Sequence, residues 1–214
     1  MEFIAVLDYE HLDNGLFLSG FAKAVAKNKC NGMVLHGDSA YTERLIQTGM
    51  MREDAVIRAA KDLNHRLVAL FADHGVSTIG LNGYQRSIIQ FKEGEIIIDK
   101  KIIQSLPAAP LFLLSNIAET YESNSLVPVS LPELAFNFQK EFDMEEVIIF
   151  NSDEKAKLVN SEMPEEIKWP EISKNFENKY IPDSFHQKFD LKLRLTTTGK
   201  FANYPEKDGT TLIF

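Results

Sequence analysis

The unit from Ala55 to Gly83 constrains the fold of this chain more than any other part of the sequence. It begins with the stretch AVIRAAKDLNHRLVALFADHG and continues with VSTIGLNG. Apolar residues recur every three or four positions in the first stretch, which predicts one long amphipathic helix. We expect Gly75 to end this helix, because glycine readily adopts the left-handed conformation that closes helices. The apolar segment Val76 to Leu81 then predicts a buried strand, with a turn at Asn82-Gly83.

Predicted strands and helices alternate along the rest of the chain, which indicates an α/β fold. We expect strands at 3–7, 32–35, 111–114 and 147–150, helices at 16–29, 41–48 and 131–142, and a last strand pair at 191–196 and 211–214. Helices of this length between strands imply parallel pairing, with helices on both faces of the sheet. Segments 87–91 and 95–98 predict a β-hairpin. Residues 151–173 are rich in Glu and Lys and predict a surface excursion or a tethered linker, which Trp169 would hold in place.

Three segments carry a resemblance to a known family. Gly32 to Gly37 reads GMVLHG and resembles a strand that ends in a "vHGgG" loop. The unit ending at Gly83 resembles "lvallnehGv.avGlsG", and DGTTLI near the C-terminus resembles "eGiGTlI". These segments are similar to the amino-acid kinase family, and to acetylglutamate kinases in particular. The similarity covers nearly the whole chain and is strongest from Gly32 to Gly83.

This resemblance implies a fold and a division of the chain. The fold is a three-layer α/β sandwich with a mainly parallel central sheet, helices on both faces and a small β-hairpin near the substrate site. Residues 1–214 are expected to form a single amino-acid-kinase-like domain. Within it, residues 1–130 would form the substrate-side lobe and residues 131–214 a reduced nucleotide-side lobe.

The positions that bind and transfer phosphate in such kinases hold different residues here. The family has a lysine and two glycines after the first strand, a glycine-rich second loop, an asparagine and an aspartate before a later helix, and a second lysine. The residues that replace most of these are Asp8, Tyr9, Asp38, Ser39, Ser130, Pro132 and Asp183. Because phosphoryl transfer needs open backbone amides and cationic side chains, we expect catalytic activity to be impaired.

The resemblance also implies a small-molecule site, formed by His36, Gly37, Arg52, Asn82 and Gly83. Arg52 is the candidate contact for a ligand carboxylate, and the alternative is that it pairs with acids at the start of the long helix. The expected ligand is a small anionic N-acyl amino acid, bound in a binding or regulatory role without a cofactor. A second hypothesis is an active kinase that uses ATP and magnesium to phosphorylate the carboxylate of an N-acyl amino acid.

A third hypothesis comes from another class of protein. Gly37-Asp38-Ser39 and Asp183-Ser184-Phe185-His186 resemble the G-D-S and D-x-x-H blocks of GDSL-type serine esterases. Ser39 would attack, His186 would accept its proton and Asp183 would orient the imidazole. The first block follows the second predicted strand instead of the first, and no G-x-N-D segment is present.

Composition limits the partners. The net charge of -8 leaves no basic face for a phosphate backbone, so we expect no nucleic acid. Cys30 is the only cysteine, which excludes an intrachain disulfide. The segment MEFIAVLD does not resemble a secretory signal, and no apolar run reaches the roughly 20 residues of a membrane span, so we expect a cytoplasmic protein without membrane contact.

Two expectations concern the long helix. Val56, Leu63 and Leu67 predict either a core face or a two-fold contact with a second copy, and we expect a homodimer. Asn64 and Arg66 flank His65, which predicts an exposed turn of the helix at this point. The histidines at 11, 65 and 74 show no metal-ligand spacing to one another.

Overall fold

The computed structural model describes residues 1–107, 109, 111–160, 164–186 and 191–214. Its strands are β1 (Phe3–Leu7), β2 (Gly32–His36), β3 (Thr78–Asn82), β4 (Ile89–Lys92), β5 (Glu95–Ile98), β6 (Leu111–Ser115), β7 (Ile117–Thr120), β8 (Leu126–Pro128), β9 (Val147–Phe150), β10 (Glu166–Ile167), β11 (Leu193–Thr196) and β12 (Thr211–Ile213). Its α-helices are α1 (Tyr9–Leu12), α2 (Gly15–Asn28), α3 (Tyr41–Gln47), α4 (Arg52–Asp73), α5 (Lys100–Gln104), α6 (Leu131–Phe142), α7 (Lys174–Tyr180) and α8 (Thr198–Phe201).

A mainly parallel sheet forms the centre of the fold. In the described part of the chain its strands lie in the order β10-β12-β11-β9-β1-β2-β6-β3. Only the β11–β12 pair is antiparallel among these strands. Residues 1–130 contribute β1, β2, β3 and β6, and residues 131–214 contribute the other strands. The two parts join where β1 pairs with β9. The predicted α/β class with a mainly parallel sheet is confirmed.

Alternation along β1 explains why helices cover both faces of this sheet. Ile4 and Val6 lie in one buried cluster, which includes Phe138 of α6. Phe3, Ala5 and Leu7 lie in another, which includes residues of α2 and α4. Successive side chains of a strand point to opposite faces, so a fully apolar strand requires cover on both sides. The resulting three layers match the prediction.

The predicted hairpin is present and is part of a larger sheet. β4 and β5 pair antiparallel, as expected. β7 pairs with β4, and β8 pairs with β7, so the second sheet has the order β5-β4-β7-β8. β7 begins two residues after β6 ends, so Asn116 is the single residue between the two sheets.

The long helix is confirmed as α4, and Gly75 follows it with a φ of 77°. β3 begins at Thr78, later than the predicted Val76, and includes Asn82. The prediction of an exposed turn around His65 is wrong for one neighbour, because Asn64 is only 1% exposed. Its side chain points toward the sheet. None of the described helices combines the length and apolarity that crossing a bilayer requires.

Most of the described residues in 151–173 are exposed or half-buried, as a surface excursion predicts, but the segment also contributes to the core and to the main sheet. Leu158 and Ile167 are buried in the core, and β10 pairs with β12. Trp169 does hold the segment, since its indole Nε1 lies 3.3 Å from the carbonyl oxygen of Leu191. Residues 161–163, which the prediction also covers, lie outside the described residues.

Candidate functional site

The carboxyl ends of β1, β2 and β6 meet at one edge of the main sheet, because these strands are parallel neighbours. The residues that follow them are Asp8, Gly37-Asp38 and Asn116. Ligands of open α/β sheets bind at this edge. Here a cavity of about 340 Å³, which we call the β2 cavity, is lined by these residues together with Tyr9, Ser184 and the start of α6.

A second cavity lies beside the first. It measures about 370 Å³ and is lined by residues that follow β9, including Ser152 and Asp153, and by Glu10, Lys179 and Asp183. We call it the β9 cavity. Asp8 and Tyr9 line both cavities, so the two adjoin at the end of β1.

Hydroxyl groups hold Asp8 and Asp38 in place, the two acids that the resemblance predicts at phosphate-binding positions. Ser184 Oγ donates a hydrogen bond of 2.9 Å to Asp8 Oδ2. Thr42 Oγ1 donates one of 2.7 Å to Asp38 Oδ2. Each hydrogen bond fixes the orientation of its carboxylate. The two negative charges are therefore fixed structural features of the β2 cavity.

Several backbone amides at this edge are used within the protein. The amide of Asp8 donates to Nδ1 of His11 at 3.2 Å. The amide of Ala40 donates to Asp13 Oδ2 at 2.6 Å, and that of Tyr41 to Ser39 Oγ at 3.3 Å. A loop that cradles a phosphate must offer such amides to the ligand. Here these donors already have partners.

Helix α6 also begins at the β2 cavity, and its N-terminus is poorly suited to bind an anion. The side chain of Ser130 accepts from the amide of Glu133 at 3.5 Å, and Pro132 has no amide hydrogen to offer. The Glu133 carboxylate lies in the first turn and opposes a bound negative charge. The sequence thus compensates this helix end internally.

The cavities carry a negative electrostatic field. Burial raises the pKa of Glu10, and the charges of Asp8 and Asp183 raise it further. The pKa of Tyr9 is also raised, first by burial and then by the charge of Asp38 among other acids. Lys179 is the one cationic side chain lining either cavity in the described part of the chain, and its Nζ lies 4.9 Å from the ring centroid of Tyr180.

Asn116 is a feature of the site that the sequence analysis missed. It is only 8% exposed, and its Nδ2 donates to the carbonyl of Val129 at 2.6 Å. This contact fixes the orientation of the amide. The other side-chain atom, Oδ1, is buried and has no hydrogen-bond partner among the described residues. The available signal was its place two residues after the predicted strand at 111–114, at the edge where ligands bind.

Of the predicted site residues, His36 and Gly37 lie at this edge. Gly37 lines the β2 cavity. The ring of His36 is fully buried and bonded toward α4, because its Nε2 accepts from Asn64 Nδ2 at 2.9 Å. Its Nδ1 donates to the carbonyl of Gly37 at 3.0 Å. Burial lowers the pKa of His36 to about 4, so the ring is neutral at neutral pH.

Asn82 and Gly83 lie at the end of β3, on the far side of β6. Asn82 Oδ1 accepts from Ser115 Oγ at 3.0 Å. A Cβ on Gly83 would lie 2.4 Å from Cδ1 of Ile89. A hydrogen bond within the fold thus accounts for Asn82, and close packing accounts for Gly83. Their role toward a ligand stays a prediction.

Arg52 begins α4 and pairs with Glu43. Its Nη1 lies 3.1 Å from Glu43 Oε1, and its side chain is 68% exposed. Its positive charge lowers the pKa of Tyr9, against the larger opposite effects described above. Arg52 therefore lies within electrostatic range of the cavities, with an acid as its direct partner. A contact between Arg52 and a ligand carboxylate stays a prediction.

The structure does not support the esterase hypothesis. Ser39 is fully buried, and its Oγ accepts from the amide of Tyr41. His186 Nε2 lies 2.8 Å from the carbonyl oxygen of Ile181, to which it donates. A nitrogen that donates to a carbonyl is not free to accept the proton of a serine.

Among the described residues, no three His, Cys, Asp or Glu side chains are grouped to hold a metal ion.

Comparison with known proteins shows likeness of fold. No protein-family model and no curated protein matches the sequence. An isopentenyl phosphate kinase structure aligns over 99% of both chains with a TM-score of 0.67 and 12% identity. Aspartate kinase from Synechocystis aligns with all of this chain over 40% of its own length, with a TM-score of 0.66 and 9% identity. Uridylate kinase from Archaeoglobus fulgidus aligns over the whole of both chains, with a TM-score of 0.57 and 12% identity.

These structures belong to the amino-acid kinase family, and the chain has an amino-acid-kinase-like fold. The resemblance to this family was predicted from GMVLHG, the Ala55–Gly83 unit and DGTTLI. At such low identities the likeness extends to the fold alone. The closer resemblance to acetylglutamate kinases stays a prediction.

Proposed function

We propose that this chain is a small-molecule-binding protein that has an amino-acid-kinase-like fold and does not transfer phosphoryl groups. The observation that carries the proposal is the chemistry at the ends of β1 and β2. Asp8 and Asp38 place carboxylates there, and the amides of Asp8, Ala40 and Tyr41 already have partners within the protein. The chemistry of phosphoryl transfer requires the opposite arrangement.

The size of the rate loss that follows from missing cationic donors supports a loss of catalysis. Removing a single charge-stabilising donor from an active site typically lowers the rate about 100- to 1,000-fold. In the β2 cavity no lysine, arginine or histidine is among the described lining residues. Lys179 lines the neighbouring β9 cavity, but its side chain lies over the ring of Tyr180. Loss of several donors together leaves little transition-state stabilisation.

The cavities themselves support a binding role. The β2 cavity has a volume suited to a small metabolite, and it combines polar side chains with the apolar surface of Val129 and Leu131. The ligand that the sequence predicts is an anionic N-acyl amino acid, with Arg52 as its carboxylate contact. The alternative function is an active kinase that uses ATP and magnesium to phosphorylate such a carboxylate.

Isothermal titration calorimetry with magnesium-ATP tests the proposal. We expect the wild-type chain to release no binding heat. The double variant Asp8→Asn/Asp38→Asn removes two negative charges and keeps both side-chain shapes, so we expect it to bind ATP more tightly than the wild type does. Asp143→Asn, at the other end of α6, is the matched control for a change of net charge.

The opposite result is equally clear. Micromolar binding of magnesium-ATP to the wild type would favour the kinase. Incubation of the chain with ATP and N-acetylglutamate, followed by mass spectrometry, would then show whether an acyl phosphate forms.

A further inference from the structure

The β2 cavity brings hydrogen-bond acceptors together. Two carboxylates, of Asp8 and Asp38, and the amide oxygen of Asn116 belong to residues that line it. In the part of the chain that the structure describes, no lysine, arginine or histidine lines this cavity. A ligand that complements such a surface must offer N–H or O–H donors, and a positive charge is favoured over a negative one.

Asn116 gives an independent indication of the ligand. Its Oδ1 is buried and lacks a partner among the described residues, whereas its Nδ2 is already committed to Val129. A buried acceptor without a donor costs about 1 to 3 kcal/mol. Because the amide orientation is fixed by Val129, the missing group is a donor. A carboxylate or phosphate would supply only further acceptors.

Tyr9 adds an aromatic ring to the acidic residues. Its side chain is 45% exposed and lines both cavities, beside Asp8. Aromatic faces attract ammonium groups, and the attraction increases where the cation is partly removed from water. The combination of a ring with carboxylates is typical of sites for organic cations.

The neighbouring β9 cavity extends the negative electrostatic field of the β2 cavity. Glu10, Asp153 and Asp183 line it, and the pKa of Glu10 is raised first by burial and then by the charges of Asp8 and Asp183. An amine that enters the β2 cavity therefore meets favourable potential along its approach. The N-terminus of α6, which would otherwise favour an anion, is compensated by Ser130, Pro132 and Glu133.

We infer that the β2 cavity binds a primary ammonium group, held by Asp8, Asp38 and the Oδ1 of Asn116, so that the ligand is an organic amine. This inference rests on the proposed function, since a nucleotide phosphate in the same cleft would require the opposite charge. It changes the expected ligand class from an anion to a cation.

The test uses three four-carbon probes that differ mainly in charge: putrescine, butanediol and succinate. Each is titrated calorimetrically into the full chain at low salt. We expect putrescine to bind and the neutral and anionic probes to release no binding heat. Added salt is expected to weaken the binding of putrescine, because it screens the attraction between charges.

Variants of the two aspartates show where putrescine binds. Asp38→Asn and Asp8→Asn each keep an acceptor for their hydroxyl partner and remove one charge, so both are expected to fold. Each is expected to weaken putrescine binding about tenfold or more, as for the loss of a charged hydrogen bond. Asp143→Asn changes the net charge equally at the opposite end of α6, and we expect it to bind putrescine as the wild type does.

The outcomes separate this inference from the proposal on which it rests. Absence of putrescine binding, an equal loss of binding in Asp143→Asn, or binding of butanediol or succinate in place of putrescine would each overturn the amine inference. None of these results would restore phosphoryl transfer. Binding of magnesium-ATP to the wild type would instead overturn the proposed function.

Discussion

At the scale of single residues, Gly83 shows how closely two parts of the backbone approach each other. A Cβ at this position would lie 2.4 Å from Ile89 Cδ1 and 2.6 Å from the carbonyl oxygen of Ile117. The side chain of Ile89 can shift, but a backbone carbonyl in β7 cannot move without disturbing the second sheet. The glycine is therefore required by packing at this position.

Gly83→Ala is expected to lower the free energy of unfolding by about 2 kcal/mol, since overpacking typically costs this much. Gly15→Ala is the control, because a Cβ there meets no atom within 4 Å. That variant is expected to be unchanged or slightly stabilised, as alanine favours a helix. Urea unfolding followed by circular dichroism measures both. Equal stability of the two variants would contradict the packing argument.

At the scale of elements, Asn64 connects α4 to three strands of the main sheet. Its Nδ2 lies 2.9 Å from His36 Nε2, 3.0 Å from the carbonyl oxygen of Leu81 and 3.3 Å from that of Leu113. Gly80 makes room for it, since a Cβ there would lie 2.3 Å from Asn64 Oδ1. One polar side chain thus fixes the helix over β2, β3 and β6.

Replacement of Asn64 with leucine is expected to lower the free energy of unfolding by about 2 to 4 kcal/mol. The loss arises because buried acceptors keep their desolvation cost and lose their donor. His65→Leu, on the exposed side of the same helix, is expected to change stability by less than about 0.5 kcal/mol. Chemical denaturation of both variants measures the difference. If both substitutions lowered the free energy of unfolding by a similarly small amount, the linking role of Asn64 would be contradicted.

Asn64 also shows where sequence reasoning failed. The bounds of β1, α6 and β9 were predicted correctly because each combines a clear apolar pattern with a polar residue at its boundary, such as the N-cap Ser130. The polar neighbours of Asn64 indicated exposure, whereas its true surroundings are set by carbonyls from distant strands. Periodicity describes one helix at a time and contains no information about such partners.

Short strands and the candidate site were harder to predict for the same reason. β7, β8 and β10 span two to four residues, and pairing with distant strands stabilises them. The motifs indicated the edge of the sheet where Gly37, Asp8 and Asp38 lie. They did not indicate that His36 turns toward α4, or that Asn116 keeps an unpartnered oxygen beside the cavity.

At the scale of the whole molecule, the predicted homodimer can use only part of the α4 surface that the sequence suggests. Leu63 and Leu67 are buried in the core cluster on the α4 face, so they do not form a two-fold contact. Val56 is half-buried and remains available on the same helix. We expect light scattering to give a dimer for the wild type and a monomer for Val56→Glu. A wild-type monomer at micromolar concentration would contradict the prediction.

Buried histidines make the stability of the whole fold depend on pH. Burial lowers the pKa of His11 and of His36 from 6.5 to about 4. Between these values the unfolded chain binds protons that the folded chain does not, so the free energy of unfolding falls as the pH is lowered through this window. The contribution of the two neutral rings to the free energy of unfolding is fully present above pH 6.5. Each pKa unit by which burial lowers the pKa of a histidine corresponds to about 1.4 kcal/mol.

The slope of unfolding free energy against pH identifies the residues responsible. In a His11→Gln/His36→Gln variant we expect most of the slope between pH 6.5 and 4 to disappear, whatever the absolute stability of that variant. His65→Gln, which replaces an exposed histidine of α4, is expected to keep the wild-type slope. If the double variant kept the full slope, the protons would be binding to other groups, and the two rings would not be held neutral by burial in the fold.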